Sequence, residues 1–276
     1  MAIPFVFLGA FSLLLLNDDD TAAVIDLTVP ALAAMATVFI ALLWHRSRNP
    51  LFRSTGVWFA VAFGLLTAGW IWYTLQSRID GEITGLSVAD GLWIGGYLVL
   101  AYALFLTVFT IKVEISKGIV ATEAVYGALI IALVSYSIYL SVEEAGLTTE
   151  VITYSAYPVL DIVVLGLLIL VMWYLRKGQL SDFWLILTVS ASFWMAGDIT
   201  YLLDTAAGTY AVGSAPDMLF LCNYGLMALG MAMLVVAQAK GTPKHRREPG
   251  LGIGGTTKLE AGKVYLFWDE KSDRAL

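Results

Sequence analysis

Charged side chains and cysteines are scarce in this chain. Of its 276 residues only 14% are charged, whereas 59% are hydrophobic, and the mean hydropathy is +0.79. A soluble domain of this size would need far more charge to cover its surface, so the composition excludes a soluble globular protein. Cys222 is the only cysteine, which excludes an intrachain disulfide and zinc sites built from several cysteines. No basic stripe with interleaved aromatics is present, so we expect no nucleic-acid partner.

Motifs of common enzymes and pigments are also missing. The chain has no GxSxG, HExxH or P-loop motif, and its two histidines, His45 and His245, fall in basic loop sequence. The last apolar run, near 216–238, contains no lysine that could form a retinal Schiff base. The Gly-x-Gly-Asp and Tyr-Asp motifs of intramembrane aspartyl proteases are absent as well. The sequence therefore predicts a protein that is not an enzyme and carries no cofactor.

Seven apolar runs are long enough to cross a bilayer as helices, which takes about 20 residues each. We place them at about 23–44, 55–76, 90–111, 119–141, 154–175, 183–203 and 216–238. Counted up to residue 247, the loops after the odd-numbered runs hold eleven Lys and Arg residues, and the opposite loops hold only Arg78. Because positive residues stay inside, we expect the first run to begin outside and residues from 240 onward to be cytoplasmic, in a multi-pass plasma-membrane protein.

A weak internal repeat joins two parts of the membrane sequence. The stretch Ala68-Gly69-Trp70-Ile71-Trp72-Tyr73 returns about 128 residues later as Ala196-Gly197-Asp198-Ile199-Thr200-Tyr201. Likewise, Asp90-x-x-Trp93-x-x-x-Tyr97 returns as Asp217-x-x-Phe220-x-x-x-Tyr224. The fold class predicted is thus an all-α membrane protein of seven transmembrane helices in a 3+1+3 parallel pseudo-repeat. The repeats are 23–111 and 154–238, and 119–141 is the linker helix.

This three-one-three plan resembles that of SWEET-type sugar carriers in architecture only. The Pro-Gln signature of those carriers is absent, because Pro30 is followed by Ala31 and Pro158 by Val159. Proline inside a span kinks the helix and frees a carbonyl, so both prolines are also compatible with a simple packing kink.

The two ends of the chain differ in composition from the membrane region. Residues 1–22 hold a short apolar segment that fits an interfacial helix, a short extra span or a signal-like sequence. Residues 239–258 have linker composition, and 259–276 read as the start of a cytoplasmic domain with a strand at Val264–Trp268. A lone strand needs a partner, so we expect it to pair across a homodimer or to belong to a longer domain. The tail sequence also resembles the opening of an uncharacterised cytoplasmic domain of archaeal membrane proteins.

Short motifs over about residues 85–230 carry a second resemblance. They are Asp90-x-x-Trp93-x-x-Gly96-Tyr97, Tyr157-Pro158-x-x-Asp161, Gly197-Asp198-x-x-Tyr201 and Gly208-Thr209-Tyr210-x-x-Gly213-Ser214-x-x-Asp217. Together they resemble the multi-span membrane region that precedes cytoplasmic signalling domains, such as diguanylate cyclases and sensor kinases, in bacteria and archaea. The resemblance implies a membrane input module and identifies no ligand.

Carboxylates and aromatics at membrane depth are the candidate functional residues. An ionised carboxylate in lipid is costly, so Asp161 and Asp198 should face the bundle interior, close together, with Tyr157 or Tyr201 hydrogen-bonded to one of them. Asp90 and Asp217 open helices, where capping of free N–H groups is the competing interpretation. The Trp and Tyr residues also fit an ordinary interfacial belt. The ligand-binding residues predicted are Asp161, Asp198, Tyr157, Trp194, Tyr201, Trp70, Asp90, Tyr97, Asp217 and Tyr224.

Acidic groups among aromatic rings favour a cationic ligand, since ring faces attract ammonium groups and a carboxylate supplies the counter-charge. We therefore expect an amine or a quaternary ammonium ion from the outer side. Ca²⁺ and protons are the alternatives, with Asp161 and Asp198 as a proton relay pair. Two functions remain open: a receptor-like sensor that signals through its tail, and a carrier or channel for a small solute or ion.

Overall fold

In a computed structural model, the described part of the chain consists of seven long helices. The residues described are 18–46, 50–80, 85–111, 117–175 and 181–241. The helices are α1 (Asp18–Arg46), α2 (Pro50–Asp80), α3 (Val88–Thr110), α4 (Lys117–Ala145), α5 (Thr149–Leu175), α6 (Ser181–Ala206) and α7 (Ala215–Gly241). Each contains a stretch of at least 22 residues that is long and apolar enough to cross a membrane. The prediction of seven membrane-length helices is confirmed.

The apolar side chains on the outside of the bundle indicate whether water or lipid surrounds it. On α1 the residues at Val29, Ala33, Ala36 and Ile40 are buried at helical spacing, while Leu27, 62% exposed, faces away. Exposed large apolar residues occur along all seven helices. Because no soluble protein leaves so much apolar surface in water, the seven helices define a multi-pass membrane protein.

Six helices form a closed ring, and one stands outside it. The ring runs α1, α2, α3, α5, α6, α7 and back to α1, and α4 packs on its outside against α5 and α6. Exchanging α1–α3 for α5–α7 turns every ring contact into another ring contact: α1 with α2 becomes α5 with α6, and α3 with α5 becomes α7 with α1. A parallel repeat with α4 as the linker is compatible with these contacts, and the repeat itself stays a prediction.

Polar contacts join several neighbouring helices of the ring. Thr37 and Thr67 join α1 to α2 through hydroxyls 2.9 Å apart, and the Ser190 hydroxyl on α6 donates to Asn223 on α7. In lipid, such contacts fix one helix against the next because an unpaired polar group has no water to replace its partner. Pro30 and Pro158 both lie inside uninterrupted helices, α1 and α5.

Several predictions concern residues outside the described ranges. The apolar segment 1–22 is covered only from Asp18, where α1 begins, five residues before the predicted start of the first span. The linker 239–258 is covered only to Gly241, the last residue of α7. The strand Val264–Trp268, the start of a cytoplasmic domain and the dimer contact through 259–276 all lie beyond that residue and stay predictions.

Candidate functional site

A cavity opens at one end of the ring, between the carboxyl ends of α2 and α6 and the amino ends of α3 and α7. Its empty space is about 540 Å³, a volume that includes the open solvent at its mouth. Ten aromatic rings and three carboxyl groups line it, and none of the described lining residues is Lys, Arg or His. The lining residues are Trp70, Tyr73, Asp90, Trp93, Tyr97, Tyr157, Trp194, Asp198, Tyr201, Tyr210, Asp217, Phe220 and Tyr224.

Asp90 is held at the amino end of α3 by a capping box. The Ser87 hydroxyl accepts from the Ala89 N–H at 3.1 Å, and Asp90 Oδ2 accepts from the Ser87 N–H at 2.7 Å. The capping interpretation of Asp90 is therefore confirmed. Its other oxygen, Oδ1, accepts from the Tyr157 hydroxyl at 2.7 Å, so one carboxylate both caps α3 and ties it to α5.

Asp217 plays a similar part at the amino end of α7. Its Oδ2 accepts from the Gly213 N–H at 2.7 Å, and both of its oxygens lie 3.2–3.3 Å from the Tyr210 hydroxyl. Gly213 has φ +92°, a conformation that residues with a side chain rarely adopt, and this lets its N–H point back at the helix. Burial, followed by the charge of Asp217, raises the pKa of Tyr210, so its hydroxyl stays protonated and remains a donor.

Asp161 and Asp198 meet at the Tyr97 hydroxyl, deep in the ring. Asp161 Oδ1 lies 2.9 Å from the Tyr97 Oη, and Asp198 Oδ2 is also hydrogen-bonded to it. The two aspartates are 1% and 6% exposed. Both aspartates face the interior, as expected. The tyrosine that joins them is Tyr97 on α3, however, and the expectation of Tyr157 or Tyr201 in that place was wrong.

The reason for this difference lies in the ring order. Tyr157 stands one turn before Asp161 on the same helix, and its hydroxyl reaches across to Asp90. Tyr201 packs against Tyr154 and Tyr210, with ring centroids 5.2 and 4.8 Å away. Spacing along one helix cannot show that α3 lies between α2 and α5 and presents Tyr97 to both carboxyl groups.

Aromatic rings form the wall and the floor of the cavity. Trp70 packs against Trp93, Phe220 and Tyr224 with centroids 5.1, 5.9 and 5.9 Å apart, and thereby brings α2, α3 and α7 together. Tyr97 and Trp194 pack at 4.4 Å beneath them. These rings face the cavity, so an interfacial belt does not account for them. Below Trp194 lies a second, smaller cavity lined only by apolar side chains from five ring helices.

Nine of the ten predicted ligand-binding residues line the cavity, and the tenth, Asp161, lies behind Tyr97. Whether they bind a ligand stays a prediction. Four lining residues were not in that set. Tyr73, Trp93 and Phe220 stand in the repeated motifs, so the repeat itself could have added them. Tyr210 lies in the turn before α7, where helical spacing gives no indication.

Two glycines at equivalent repeat positions let an aromatic ring approach a helix backbone. A Cβ added at Gly69 would lie 2.5 Å from Trp93, and one added at Gly197 would lie 2.7 Å from Phe220. Gly69 corresponds to Gly197 in the repeat, and Trp93 to Phe220. The two halves therefore place a cavity ring on the neighbouring helix by the same contact.

We expect Gly69→Ala and Gly197→Ala each to destabilise the protein by about 1–3 kcal/mol, because the ring must move out of its packed position. Gly64→Ala on α2 is the matched control, since a Cβ there meets nothing within 4 Å. That control should be neutral or slightly stabilising, because alanine favours helix over glycine. Thermal unfolding in detergent measures all three, and equal stability of the three variants would contradict the packing argument.

The described residues contain no group of three or more His, Cys, Asp and Glu that could hold a metal ion. Asp90 and Asp217 are each tied to a backbone N–H and a tyrosine, and Asp198 is tied to Tyr97. Each cavity carboxyl group is thus held by its own protein partners, and Ca²⁺ as a ligand stays a prediction.

Comparison with family models, with curated proteins and with solved structures found no match for this chain. The class that the fold defines is therefore the coarse one, a multi-pass helical membrane protein with a cavity inside its helix ring. The resemblances to signalling input regions and to SWEET-type carriers stay predictions.

Proposed function

We propose that the protein is a receptor-like membrane sensor that binds a small organic cation in this cavity and signals to the cytoplasmic side, without being an enzyme. The observation that carries the proposal is the lining: ten aromatic rings and three carboxyl groups, with no basic residue among the described lining side chains. Aromatic faces attract ammonium groups, and a carboxyl group in a site of low dielectric attracts them further. An amine or a quaternary ammonium ion fits both features.

The membrane orientation in this proposal rests on loop charge. The cavity opens on the side of the α2–α3 and α6–α7 loops, and the loops of that side carry Arg78 as their one basic residue, against eleven on the other side up to residue 247. Under the positive-inside rule the cavity faces the outside of the plasma membrane, and the segment after α7 is cytoplasmic. A ligand from outside would then reach Asp198 without crossing the membrane.

A carrier is the second candidate, and the symmetric ring favours it. The two three-helix halves exchange contacts as parallel repeats do, and they enclose the cavity between them. Carriers of this architecture place their sites at the repeat interface and alternate access by moving one half against the other. In this second candidate, α1–α3 superpose on α5–α7 by rotation about an axis near the membrane normal.

Tetramethylammonium is the probe that tests the proposal. We expect it to quench or shift the fluorescence of the protein in detergent, because three cavity residues, Trp70, Trp93 and Trp194, are tryptophans. The control is tert-butanol, which has nearly the same shape and no charge, and which should have little effect. No saturable response to tetramethylammonium, or an equal response to both, would reject the cation site.

Flux through reconstituted vesicles separates the two candidates. A sensor binds tetramethylammonium but does not speed its passage into vesicles beyond the rate of protein-free ones. A carrier moves it, and the movement saturates at the concentrations that saturate the fluorescence change. Saturable flux would therefore replace the sensor with the carrier while leaving the cation site in place.

A further inference from the structure

Three side-chain oxygens meet at the centre of the ring, and their hydrogen bonds require more hydrogens than the Tyr97 hydroxyl supplies. Tyr97 Oη is hydrogen-bonded to Asp161 Oδ1 and to Asp198 Oδ2, yet a hydroxyl has a single hydrogen to donate. One of the two contacts therefore requires that a carboxyl group donates to the tyrosine oxygen.

Among the described residues, nothing else around this cluster could neutralise a second charge. Asp161 is 1% exposed, and its Oδ2 is buried without a hydrogen-bond partner among the described residues. Tyr157 on α5, Tyr201 on α6 and Tyr224 on α7 line the same cavity, and Asp90 of α3 is bonded to Tyr157. All of these groups are neutral or negative when they titrate, so none supplies a positive charge.

Only one of the two carboxyl groups is open to a ligand. Asp198 and Tyr97 line the cavity, whereas Asp161 lies behind them. A cation in the cavity therefore meets Asp198 and favours its ionised form, while it touches Asp161 only through Tyr97.

We propose that Tyr97, Asp161 and Asp198 share one carboxyl proton in the empty protein and release it when a cation occupies the cavity. This proton release rests on the proposed cation site. In the exchange an O–H bond of the carboxyl pair breaks and the proton passes to water at the cavity mouth. The pair goes from one negative charge to two, and the bound cation balances the added charge. Binding of the cation is then coupled to proton release, and acid weakens it.

Infrared spectroscopy of the empty protein tests the shared proton without any ligand. A protonated carboxyl group has a C=O stretching band that an ionised one lacks. We expect this band at neutral pH in the wild-type protein and its loss in Asp161→Asn and in Asp198→Asn, since the remaining carboxyl group can ionise against the Tyr97 hydroxyl. Glu144→Gln removes an exposed carboxyl group at the end of α4 and should leave the band unchanged. No band in the wild-type protein, or a band that neither aspartate variant alters, would overturn the shared proton.

Calorimetry with tetramethylammonium tests the coupling. Titration in two buffers of different ionisation enthalpy gives the number of protons released, and we expect about one for each cation bound by the wild-type protein and close to none for Asp161→Asn. Binding without proton release would overturn the coupling and leave the cation site standing. Absence of binding would reject the cation site and the coupling with it, and the infrared band would still decide whether the proton is shared.

Discussion

Asp198→Asn should weaken the binding of tetramethylammonium by at least about 30-fold, which corresponds to roughly 2 kcal/mol. Asp198 is the cavity carboxyl group whose oxygen is not held by a backbone N–H, and it contacts Tyr97 at the cavity floor. Asparagine keeps the shape of the side chain and its capacity to hydrogen-bond, but it removes the charge that a bound ammonium ion would meet. The measurement is the dissociation constant from tryptophan fluorescence, compared between the variant and the wild-type protein.

The matched control is Asp204→Asn, the same substitution two turns further along α6, at a residue that does not line the cavity. It should change the dissociation constant little, since a charge outside the cavity is screened by salt. Equal losses in the two variants would mean that general negative charge, and no specific group, attracts the probe. Asp198→Asn should also fold at least as stably as the wild-type protein, because substitution of a functional group often relieves the strain of keeping it buried.

Tyr97→Ala should lower the free energy of unfolding by about 3–5 kcal/mol, the loss seen when a fully buried ring is deleted. Tyr97 is 1% exposed, packs against Trp194 at 4.4 Å and joins α3 to α5 and α6 through the two aspartates. Its removal leaves a hole below the cavity and two carboxyl groups without their common partner. Thermal unfolding in detergent provides the measurement.

Two more conservative variants separate the contribution of the Tyr97 ring to stability from that of its hydroxyl. Tyr97→Phe keeps the ring and should cost about 1–3 kcal/mol, because it leaves buried carboxyl oxygens unpaired. Tyr224→Phe makes the same change at the equivalent position of the other half. Tyr224 contacts Trp70, which is the repeat equivalent of Asp198. We expect Tyr224→Phe to cost less. Equal costs for the two variants would show that the Tyr97 hydroxyl contributes nothing beyond its ring.

The two halves of the ring differ at the positions of Asp161 and Asp198. Asp198 corresponds to Trp70 in the repeat, and Asp161 corresponds to Ala33 when Tyr157-Pro158 is set against Val29-Pro30. The aligned positions thus carry carboxyl groups in one half and an indole and a methyl group in the other.

The cavity residues could be predicted from the sequence because, in a membrane, helix formation and the burial of a carboxyl group depend on a residue and its near neighbours in the chain. A run of about 20 apolar residues must be a helix in lipid, and a carboxyl group within it must turn away from the lipid. The capping of Asp90 was also visible, since Ser87 and Asp90 stand three residues apart at the start of a helix. These features depend on a residue and its near neighbours in the chain.

The amino-acid sequence was enough to predict the seven helices, the burial of Asp161 and Asp198 and the clustering of acidic and aromatic residues at one end. It could not show that Tyr97 joins the two aspartates, that Tyr157 donates to Asp90, or that the Tyr210 hydroxyl bonds to Asp217. The physical reason is that helical spacing fixes which residues share a face of one helix, whereas contacts between helices depend on the order and rotation of all six around the ring.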